Sequence, residues 1–392
     1  MLKVTGRIRD VKGYYHTVLL YPGPDGKQKQ KSQTTGLKVR GNKKRAEEIL
    51  EKRRIEFETA LNNSQPVEAN KIKFTDFMSD WLDVVEHTVE VTTFASYKSA
   101  VEQRICPYFD EKHPNLLLRE LTPKMIQDYY TYEMKVLGNS ANTVVHRHAN
   151  LHRALKYAVK IDLLDTNPVD KVDRPKKNHF EGEILSKDEI KELFEAVKGT
   201  KIEFAVLMAA FYGLRREEIV GLKWKYIDFE NKTFTISGAV TEACLNGKQI
   251  LVKKDNPKTK SSNRTFPLMP LFEQMLLNMK KHQGYYREIC GNCYNNEFSE
   301  YVYVNEMGDL IKPGYITQKF SKILEDNGFR HIRFHDLRHS CATILHKNGI
   351  GMKDIQMWLG HSNIGTTSDI YTHFDDDSKV DSANVMLSNL MM

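Results

Sequence analysis

Apolar residues recur at helical spacing through the middle of the chain, from Phe74 to about Val172. One face of the first predicted helix carries five apolar side chains, Phe77, Met78, Trp81, Leu82 and Val85. We expect Thr75 to cap this helix, and Thr122 followed by Pro123 to start another, because proline is tolerated at the first helical position. A long helix is predicted over residues 139–159. The pattern therefore predicts a helical bundle at residues 73–172.

Residues 1–62 show a different pattern. Tyr14 to Leu19 belong to a strand-like run, and P-G-P-D-G at residues 22–26 has turn chemistry. The next run, K-Q-K-Q-K-S-Q-T-T-G-L-K-V, alternates lysine with polar residues, so a hairpin of these strands is expected to have one almost wholly basic face. Residues 42–60 fit an amphipathic helix with four inward residues, Ala46, Ile49, Leu50 and Phe57. A small β-sheet with one helix is predicted.

Residues 184–392 are predicted to be mostly helical, starting with a helix that Ser186 caps and Glu189 completes as a capping box. A small antiparallel sheet is predicted in the middle of this region, from the segments T-F-T-I-S, K-Q-I-L-V-K-K and R-T-F-P-L with an L-N-G turn. A tail helix is predicted at the end of the chain. Polar segments at 63–72 and 173–183 are expected to be linkers. A length of 392 residues suits two or three domains. The predicted fold class is multidomain α+β.

Composition and charge narrow the function. The chain is 40% hydrophobic and 28% charged, without an apolar run that could cross a bilayer or act as a signal sequence, so we expect a cytoplasmic protein without a membrane partner. The net charge is +7, but residues 1–45 hold twelve Lys or Arg against Asp10 and Asp25, so this segment carries +10 and the remainder −3. Such a concentrated patch favours nucleic acid. Lysines turned to water on a hairpin are the alternative.

Cysteine usage indicates neither disulfides nor a metal site. Five scattered cysteines do not make a disulfide framework in a chain of this size. Cys290 and Cys293 form a lone C-G-N-C with His282 nearby, but zinc would need a fourth ligand. An incidental surface loop is the preferred interpretation, and no metal is predicted.

The motifs that carry chemistry lie in the second half of the chain. Three of them follow one another within thirty-seven residues: H-D-L-R-H at 335–339, W-L-G-H at 358–361, and Tyr371. They supply an arginine, histidines and a phenol, which are groups that hold a phosphodiester and attack it without a metal. Upstream, Y-G-L-R-R-E-E-I-V-G-L-K-W places Arg215 after a glycine turn and predicts a helix with an apolar stripe of Ile219, Leu222 and Trp224. Between them, K-T-K-S-S-N-R-T-F-P-L at 258–268 forms a basic loop next to strands.

Five motifs follow one another along about half of the chain: G-L-R, a lysine hairpin, H-x-x-R, L-G-H and a tyrosine. This order resembles that of the motifs in the catalytic domain of the tyrosine recombinase (phage integrase) family. The basic amino-terminal region is most similar to that of conjugative-transposon integrases. The resemblance implies an arm-type DNA-binding domain at 1–62, a helical core-binding domain at 73–172 and a catalytic domain at 184–392. It implies no cofactor, and a bacterial cytoplasmic location.

Transfer of a phosphodiester needs cationic stabilisation of its transition state, and two guanidiniums suit this because each forks onto non-bridging oxygens. We assign these to Arg215 and Arg338. Arg216 is adjacent and could take the place of Arg215, but the G-L-R motif of the family selects Arg215. His339 is expected to be structural, and Glu218 is expected to be a buried partner that orients an arginine.

The resemblance also assigns the remaining catalytic groups. Tyr371, ten residues after L-G-H, is the nucleophile that forms a covalent ester. His335 matches the position of the base in H-x-x-R, and His361 matches a donor to the phosphate. Lys258 is the expected general acid for the leaving 5′-hydroxyl, with Lys260 as the alternative.

Double-stranded DNA at arm and core sites is the expected partner. The predicted contacts in the first domain are Arg7, Arg9, Lys12, Tyr15, Lys27, Lys29, Lys31, Lys38 and Arg40. Those in the bundle are Thr143, His146, Arg147 and Arg153, for which a solvated polar face is the alternative. In the family, the tail after the tyrosine docks on a neighbouring subunit of a tetramer, and packing on its own domain is the alternative here. The resemblance also admits an excision factor and a host DNA-bending protein.

The predicted function is a site-specific DNA recombinase, an integrase or transposase of a mobile element. It is expected to cleave and rejoin DNA through a 3′-phosphotyrosyl intermediate, for integration and excision. One alternative is a non-catalytic, sequence-specific DNA-binding regulator on a recombinase scaffold. Another is a chromosome-dimer-resolving recombinase, although that class resembles only the last two domains. A type IB topoisomerase shares the chemistry but does not carry this arm-like domain.

Overall fold

The computed structural model describes residues 3–22, 28–63, 71–178, 184–255 and 263–360 of the chain. Its internal contacts divide the chain into two compact units, Met1–Thr88 with Tyr97–Lys177, and Val89–Ser96 with Asn178–Met392. The predicted multidomain α+β fold class is confirmed. Across the described helices, none combines the length and apolar character needed to cross a lipid bilayer.

The amino-terminal part forms the predicted small sheet with one helix. Strands β1 (Thr5–Val11), β2 (Tyr14–Pro22) and β3 (Gln28–Lys38) pair antiparallel in that order, and helix α1 spans Lys43–Asn63. Helix α1 covers one face of the sheet. Its Arg53 Nη1 donates to Thr17 Oγ1 at 3.1 Å, and its Phe57 ring meets Tyr21 edge to face, with the ring centroids 5.0 Å apart.

In the β2–β3 hairpin Lys31 pairs with Leu19 and Lys38 pairs with Tyr14, on opposite faces, so the prediction of one almost wholly basic face is wrong. The basic residues of the whole sheet are likewise divided between its two faces. Directly paired residues of neighbouring strands point to the same side, and consecutive residues of a strand point to opposite sides. Arg7 pairs with Val18, whereas Lys31 pairs with Leu19. Lys31 therefore lies on the α1 side, with its Nζ 5.0 Å from the centroid of the Phe57 ring, and Arg7 lies on the open face. The register of the strands decides this division.

Residues 71–178 form the predicted helices. They are α2 (Phe74–Glu86), α3 (Val91–Ala100), α4 (Cys106–Lys112), α5 (Pro123–Lys135) and α6 (Ala141–Lys160), with a π-helical turn at Val101–Ile105. The five apolar residues predicted on one face of α2 are all buried. The Thr75 cap is wrong, because α2 begins at Phe74, so that Thr75 lies in its first turn, and Thr75 Oγ1 donates to Asp110 Oδ1 at 3.0 Å. The Thr122 cap of α5 is confirmed, since its side chain accepts from the Met125 N–H.

The described part of residues 184–360 is mostly helical. Its helices are α7 (Lys187–Val197), α8 (Glu203–Tyr212), α9 (Arg216–Val220), α10 (Pro270–Cys290), α11 (Pro313–Asp326), α12 (Asp336–Lys347) and α13 (Met352–Leu359). Its strands are β4 (Ile227–Asp228), β5 (Thr233–Ile236), β6 (Ala239–Leu245), β7 (Lys248–Lys254) and β8 (Arg264–Pro267). The predicted small sheet is present as β4-β5-β8, but β6 and β7 form a separate hairpin, because β5 pairs with β8. The capping box of Ser186 and Glu189 on α7 is confirmed.

Helix α8 is the centre of this unit. It is apolar almost all round, and such a helix is stable only when it is buried on every side. Helix α9 is shorter than predicted. It ends at Val220, and the following Gly221 lies against the backbone of β6, where an added Cβ atom would come within 2.7 Å of Ala239 Cα. Trp224, predicted on the stripe of this helix, lies beyond it.

One buried hydroxyl joins the start of α7 to α12. Ser340 Oγ accepts from the backbone N–H of Leu185 at 2.9 Å and donates to the carbonyl oxygen of Asp336 at 3.0 Å. Both bonds are buried, so the loss of the hydroxyl would leave the Leu185 N–H without its acceptor.

We expect Ser340→Ala to lower the free energy of unfolding by about 1–3 kcal/mol, the cost of an unsatisfied buried donor. Urea denaturation of the full chain measures this. Ser321→Ala on α11 is the control, because alanine favours a helix and its effect is expected within about 0.5 kcal/mol. Equal effects of the two substitutions would contradict the role given to Ser340.

Candidate active site

Arg215 is positioned by the end of α8. That helix stops at Gly213, which has φ +66° and ψ +27°, in the left-handed region. A Cβ atom at this residue would overlap Cδ2 of the fully buried Leu359, so both the backbone conformation and the packing favour glycine. The chain then turns, and Arg215 becomes the residue that precedes the first turn of α9.

Arg338 lies in the first turn of α12 and is 1% exposed. Its Nη1 donates to the carbonyl oxygen of Gly213, and its Nη2 donates to that of Leu359. Burial, and then the positive charge of Arg215, lower the pKa of Arg338 to about 9. The guanidinium therefore stays charged at neutral pH and connects the ends of α8 and α13.

Glu218 is a buried carboxylate shared by two arginines. Its Oε1 accepts from Arg215 Nη1 at 2.8 Å, and its Oε2 accepts from the Arg215 backbone N–H at 2.8 Å. Arg264 donates to the same two oxygens, from Nη1 at 3.2 Å and from Nη2 at 2.7 Å. Burial disfavours the ionised carboxylate, but the two arginines and then Arg338 outweigh this effect and lower the pKa of Glu218. The carboxylate thus stays ionised and fixes Arg215.

Arg264 lies within the R-T-F-P-L run of the basic loop segment 258–268, but the sequence alone assigned it no role in the site. One signal was available, because the strand R-T-F-P-L alternates, and Arg264 occupies the same face as Phe266 and Leu268. In the structure all three are buried. An arginine at an inward position of a strand needs a buried anion, and Glu218 is that anion.

His335 directly precedes the first turn of α12 and is held near the two arginines. Although the residue is in part exposed to solvent, desolvation by the surrounding protein, then His339, Arg338 and Arg215, lower the pKa of His335 to about 4. The imidazole is therefore neutral at pH 7 and has a lone pair that can accept a proton. The His339 ring lies edge-on to it, with the centroids 5.1 Å apart.

The structure brings Arg215, His335 and Arg338 together at one site. Arg216, the alternative to Arg215, points elsewhere, because its Nη1 donates to Thr317 Oγ1 on α11. The other predicted groups, Lys258 with its alternative Lys260, His361, Tyr371 and the tail helix, lie outside the described residues. Their roles stay predictions.

Most of the predicted DNA-contacting residues are exposed. In the sheet domain these are Arg7, Arg9, Lys12, Lys29, Lys31, Lys38 and Arg40, whereas Tyr15 is half-buried and Lys27 lies outside the described residues. In α6, His146 and Arg153 are exposed, and Thr143 and Arg147 are half-buried. Arg153 Nη1 donates to the Tyr97 hydroxyl at 2.8 Å. Contact with DNA remains a prediction for all of them.

Residues 183–378, half of the chain, match the phage integrase family, and residues 73–134 match the N-terminal SAM-like domain of phage integrases. The chain belongs to the phage integrase family. It is a tyrosine recombinase, so the predicted family is confirmed.

Two relatives of this recombinase match it over most of their length. It is 28% identical to a protein described as tyrosine recombinase XerC-like from Caldanaerobacter subterraneus, over 98% of this chain and 99% of the relative. It is 24% identical to the ICEBs1 integrase of Bacillus subtilis, over 86% of this chain and 87% of the relative.

Two solved structures share its fold. One is the Tn1549 transposon integrase in complex with a circular intermediate DNA, with a TM-score of 0.62 and 18% identity over 80% of this chain and 99% of that one. The other is a lambda integrase tetramer bound to a Holliday junction, with a TM-score of 0.54 and 18% identity over 91% of this chain and 95% of that one.

We expect Gly213→Ala to destabilise the recombinase more than Gly199→Ala does. Both glycines have positive φ, which costs a non-glycine residue about 1–2 kcal/mol, but a Cβ atom at Gly199 meets nothing within 4 Å. At Gly213 it overlaps Leu359, which adds about 1–3 kcal/mol. Chemical denaturation of both variants measures the difference. Equal losses in the free energy of unfolding would contradict this expectation, because α8 and α13 would then accommodate the added Cβ atom without a cost in stability.

The depressed pKa of His335 predicts an acid-dependent loss of stability. Below about pH 6.5 the unfolded chain binds a proton at this residue, whereas the folded chain does so only near pH 4. The stabilisation is thus present above pH 6.5 and is lost as the pH falls toward 4. We expect the free energy of unfolding to fall less steeply across this range in His335→Gln than in the wild type.

Urea denaturation at several pH values between these limits measures the slope. His331→Gln, at an exposed position shortly before α12, is the control and is expected to keep the wild-type slope. A wild-type slope in His335→Gln would contradict the assignment.

Proposed function

We propose that the protein is a site-specific DNA recombinase of a mobile element, which cleaves and rejoins duplex DNA for integration and excision. One observation carries this proposal. Two guanidiniums and a neutral imidazole, from Arg215, Arg338 and His335, converge at one site in a tyrosine recombinase. This set suits a phosphodiester, because the guanidiniums stabilise anionic oxygens and the imidazole accepts a proton.

In the proposed reaction, the phenol oxygen of Tyr371 attacks the scissile phosphorus, and His335 takes the phenol proton. The bond from phosphorus to the 5′-oxygen breaks, and Lys258 protonates that oxygen as it leaves. The product is a 3′-phosphotyrosyl ester. A 5′-hydroxyl of the partner strand then attacks the ester, so the proton transfers run in reverse and Tyr371 is released. The number of phosphoester bonds is unchanged, and no external energy source is required.

During attack the phosphorus becomes pentavalent and its non-bridging oxygens gain negative charge. Arg338 is well suited to this stage, because its contacts with two backbone carbonyls fix the plane of the guanidinium before DNA arrives. Arg215 is suited to it because Glu218 holds both its backbone and its side chain. Groups that are fixed in advance need no reorganisation as charge develops. His361 is proposed to donate a further hydrogen bond to the phosphate.

The proposed division of labour assigns arm-site DNA to residues 1–62, core-site DNA to residues 73–172 and catalysis to residues 184–392. Two separate DNA-binding regions suit integration and excision, in which one protein bridges two sites. The lambda integrase tetramer on a Holliday junction supports a tetramer as the active assembly. The tail after Tyr371 is proposed to dock on the neighbouring subunit.

A nicked duplex that contains the recombination site tests the proposed chemistry, because loss of the short cleaved strand traps the covalent protein–DNA adduct. We expect wild-type protein to form the adduct and Tyr371→Phe to form none. Arg338→Gln is expected to slow formation about 100- to 1000-fold, the usual cost of removing one transition-state donor. Specific binding of the duplex without any adduct would overturn the proposal and favour a non-catalytic regulator.

The two faces of the amino-terminal sheet give a matched test of arm binding. If the open face enters the DNA groove, replacing both Arg7 and Arg9 by glutamine weakens binding and lowers the slope of log K against log salt by about 1.8. Lys29 and Lys31, on the α1 side of the edge strand, provide a control pair with the same change in charge. Titration of a footprinted duplex with full-length protein at several salt concentrations measures both. A larger effect of the lysine pair would contradict contact through the open face.

A further inference from the structure

Arg264 makes the shortest contact with the buried carboxylate of Glu218, yet it has no role in the chemistry described above. Its Nη2 lies 2.7 Å from Oε2, its Nη1 lies 3.2 Å from Oε1, and both side chains are 7% exposed. A two-pronged pair of this kind is strong and fixes the relative orientation of its members.

The pair with Arg264 changes what Glu218 does to Arg215. Each carboxylate oxygen accepts one bond from each arginine, so the single negative charge is divided between two guanidiniums. Together with Arg338, three guanidiniums surround one carboxylate, which leaves a charge of +2 among these four groups. A carboxylate paired with Arg215 alone would instead neutralise the group that faces the phosphate.

Arg264 also holds Glu218 from a different element. Arg215 and Glu218 are three residues apart at the start of α9, so they would move together. Arg264 begins β8, where it pairs with Ile236 of β5, and its guanidinium lies 5.5 Å from the centroid of the Phe266 ring. The sheet therefore fixes the carboxylate, and through it Arg215, relative to the rest of the unit.

We propose that Arg264 is a positioning residue for DNA cleavage, which holds the Arg215 guanidinium in place through Glu218 and preserves its positive charge toward the scissile phosphate. The inference rests on the proposed function. Arg264 acts through Glu218 in this arrangement, since both of its Nη groups donate to that carboxylate.

Single-turnover cleavage of the nicked duplex by full-length protein tests this role. We expect Arg264→Gln to slow adduct formation about 10- to 100-fold, as displacement of a catalytic group by roughly 1 Å does. The affinity for the uncleaved duplex, measured with Tyr371→Phe added, is expected to stay within about twofold, because nearly all phosphate contacts remain. A defect of folding alone would lower both quantities.

A double-mutant cycle with Glu218→Gln shows whether the two residues act as one unit. Residues in one hydrogen-bond network have strongly non-additive effects. We therefore expect the double variant to be no slower than the slower single variant. Factors that multiply, or an Arg264→Gln protein that cleaves at the wild-type rate, would overturn the inference while the proposed function stands.

Two further variants keep the test decisive. Arg264→Lys retains the charge but presents one ammonium in place of a fork, so an intermediate rate is expected, and it serves if Arg264→Gln does not fold. Arg330→Gln removes another arginine–glutamate pair, with Glu189 at 3.1 Å, and is expected to cleave at the wild-type rate. A wild-type cleavage rate in Arg264→Lys would contradict the inference that both Nη contacts of Arg264 with Glu218 are required. Wild-type protein that forms no adduct would overturn the proposed function, and this inference with it.

Discussion

The candidate active site depends on the burial of one guanidinium, that of Arg338. Removing a charge from water is costly, and the cost is met only by well-placed dipoles or counter-charges. Here the carbonyls of Gly213 and Leu359 supply dipoles, and each lies at the carboxyl end of a helix, where the backbone is partly negative. The paths of α8 and α13, and the left-handed glycine that ends each of them, follow from this requirement.

The same burial sets the electrostatics of the neighbouring groups. Arg215 and Arg264 share the Glu218 carboxylate and the charge of Arg338 also acts on it, so the cluster carries excess positive charge before DNA binds. This excess is one reason that the pKa values of Arg338 and His335 are depressed, and it keeps His335 neutral. A phosphate entering the site would relieve the repulsion. A site of this kind binds an anion more strongly as its charge increases, as happens in the transition state of phosphoryl transfer.

The sequence motifs predict the family and the convergence of Arg215, His335 and Arg338, because a motif fixes which residues meet even when they are far apart in the chain. They do not predict Arg264, whose partner Glu218 is 46 residues away and lies on another element. The motifs also do not predict that the basic residues are divided between the two faces of the amino-terminal sheet, since this depends on strand register. The predicted cap at Thr75 is wrong for a local reason, because the Thr75 hydroxyl donates to the carboxylate of Asp110 on another helix.

The bond between Leu185 and Ser340 has a mechanical consequence. Leu185 follows directly on the segment that separates the bundle from the rest of the recombinase, and Ser340 lies on the helix that carries Arg338. Tension along the chain at this point is therefore borne by α12 itself. A pull on the chain before Leu185 would reach the helix of Arg338 directly, as a mechanical force transmitted by one buried hydrogen bond.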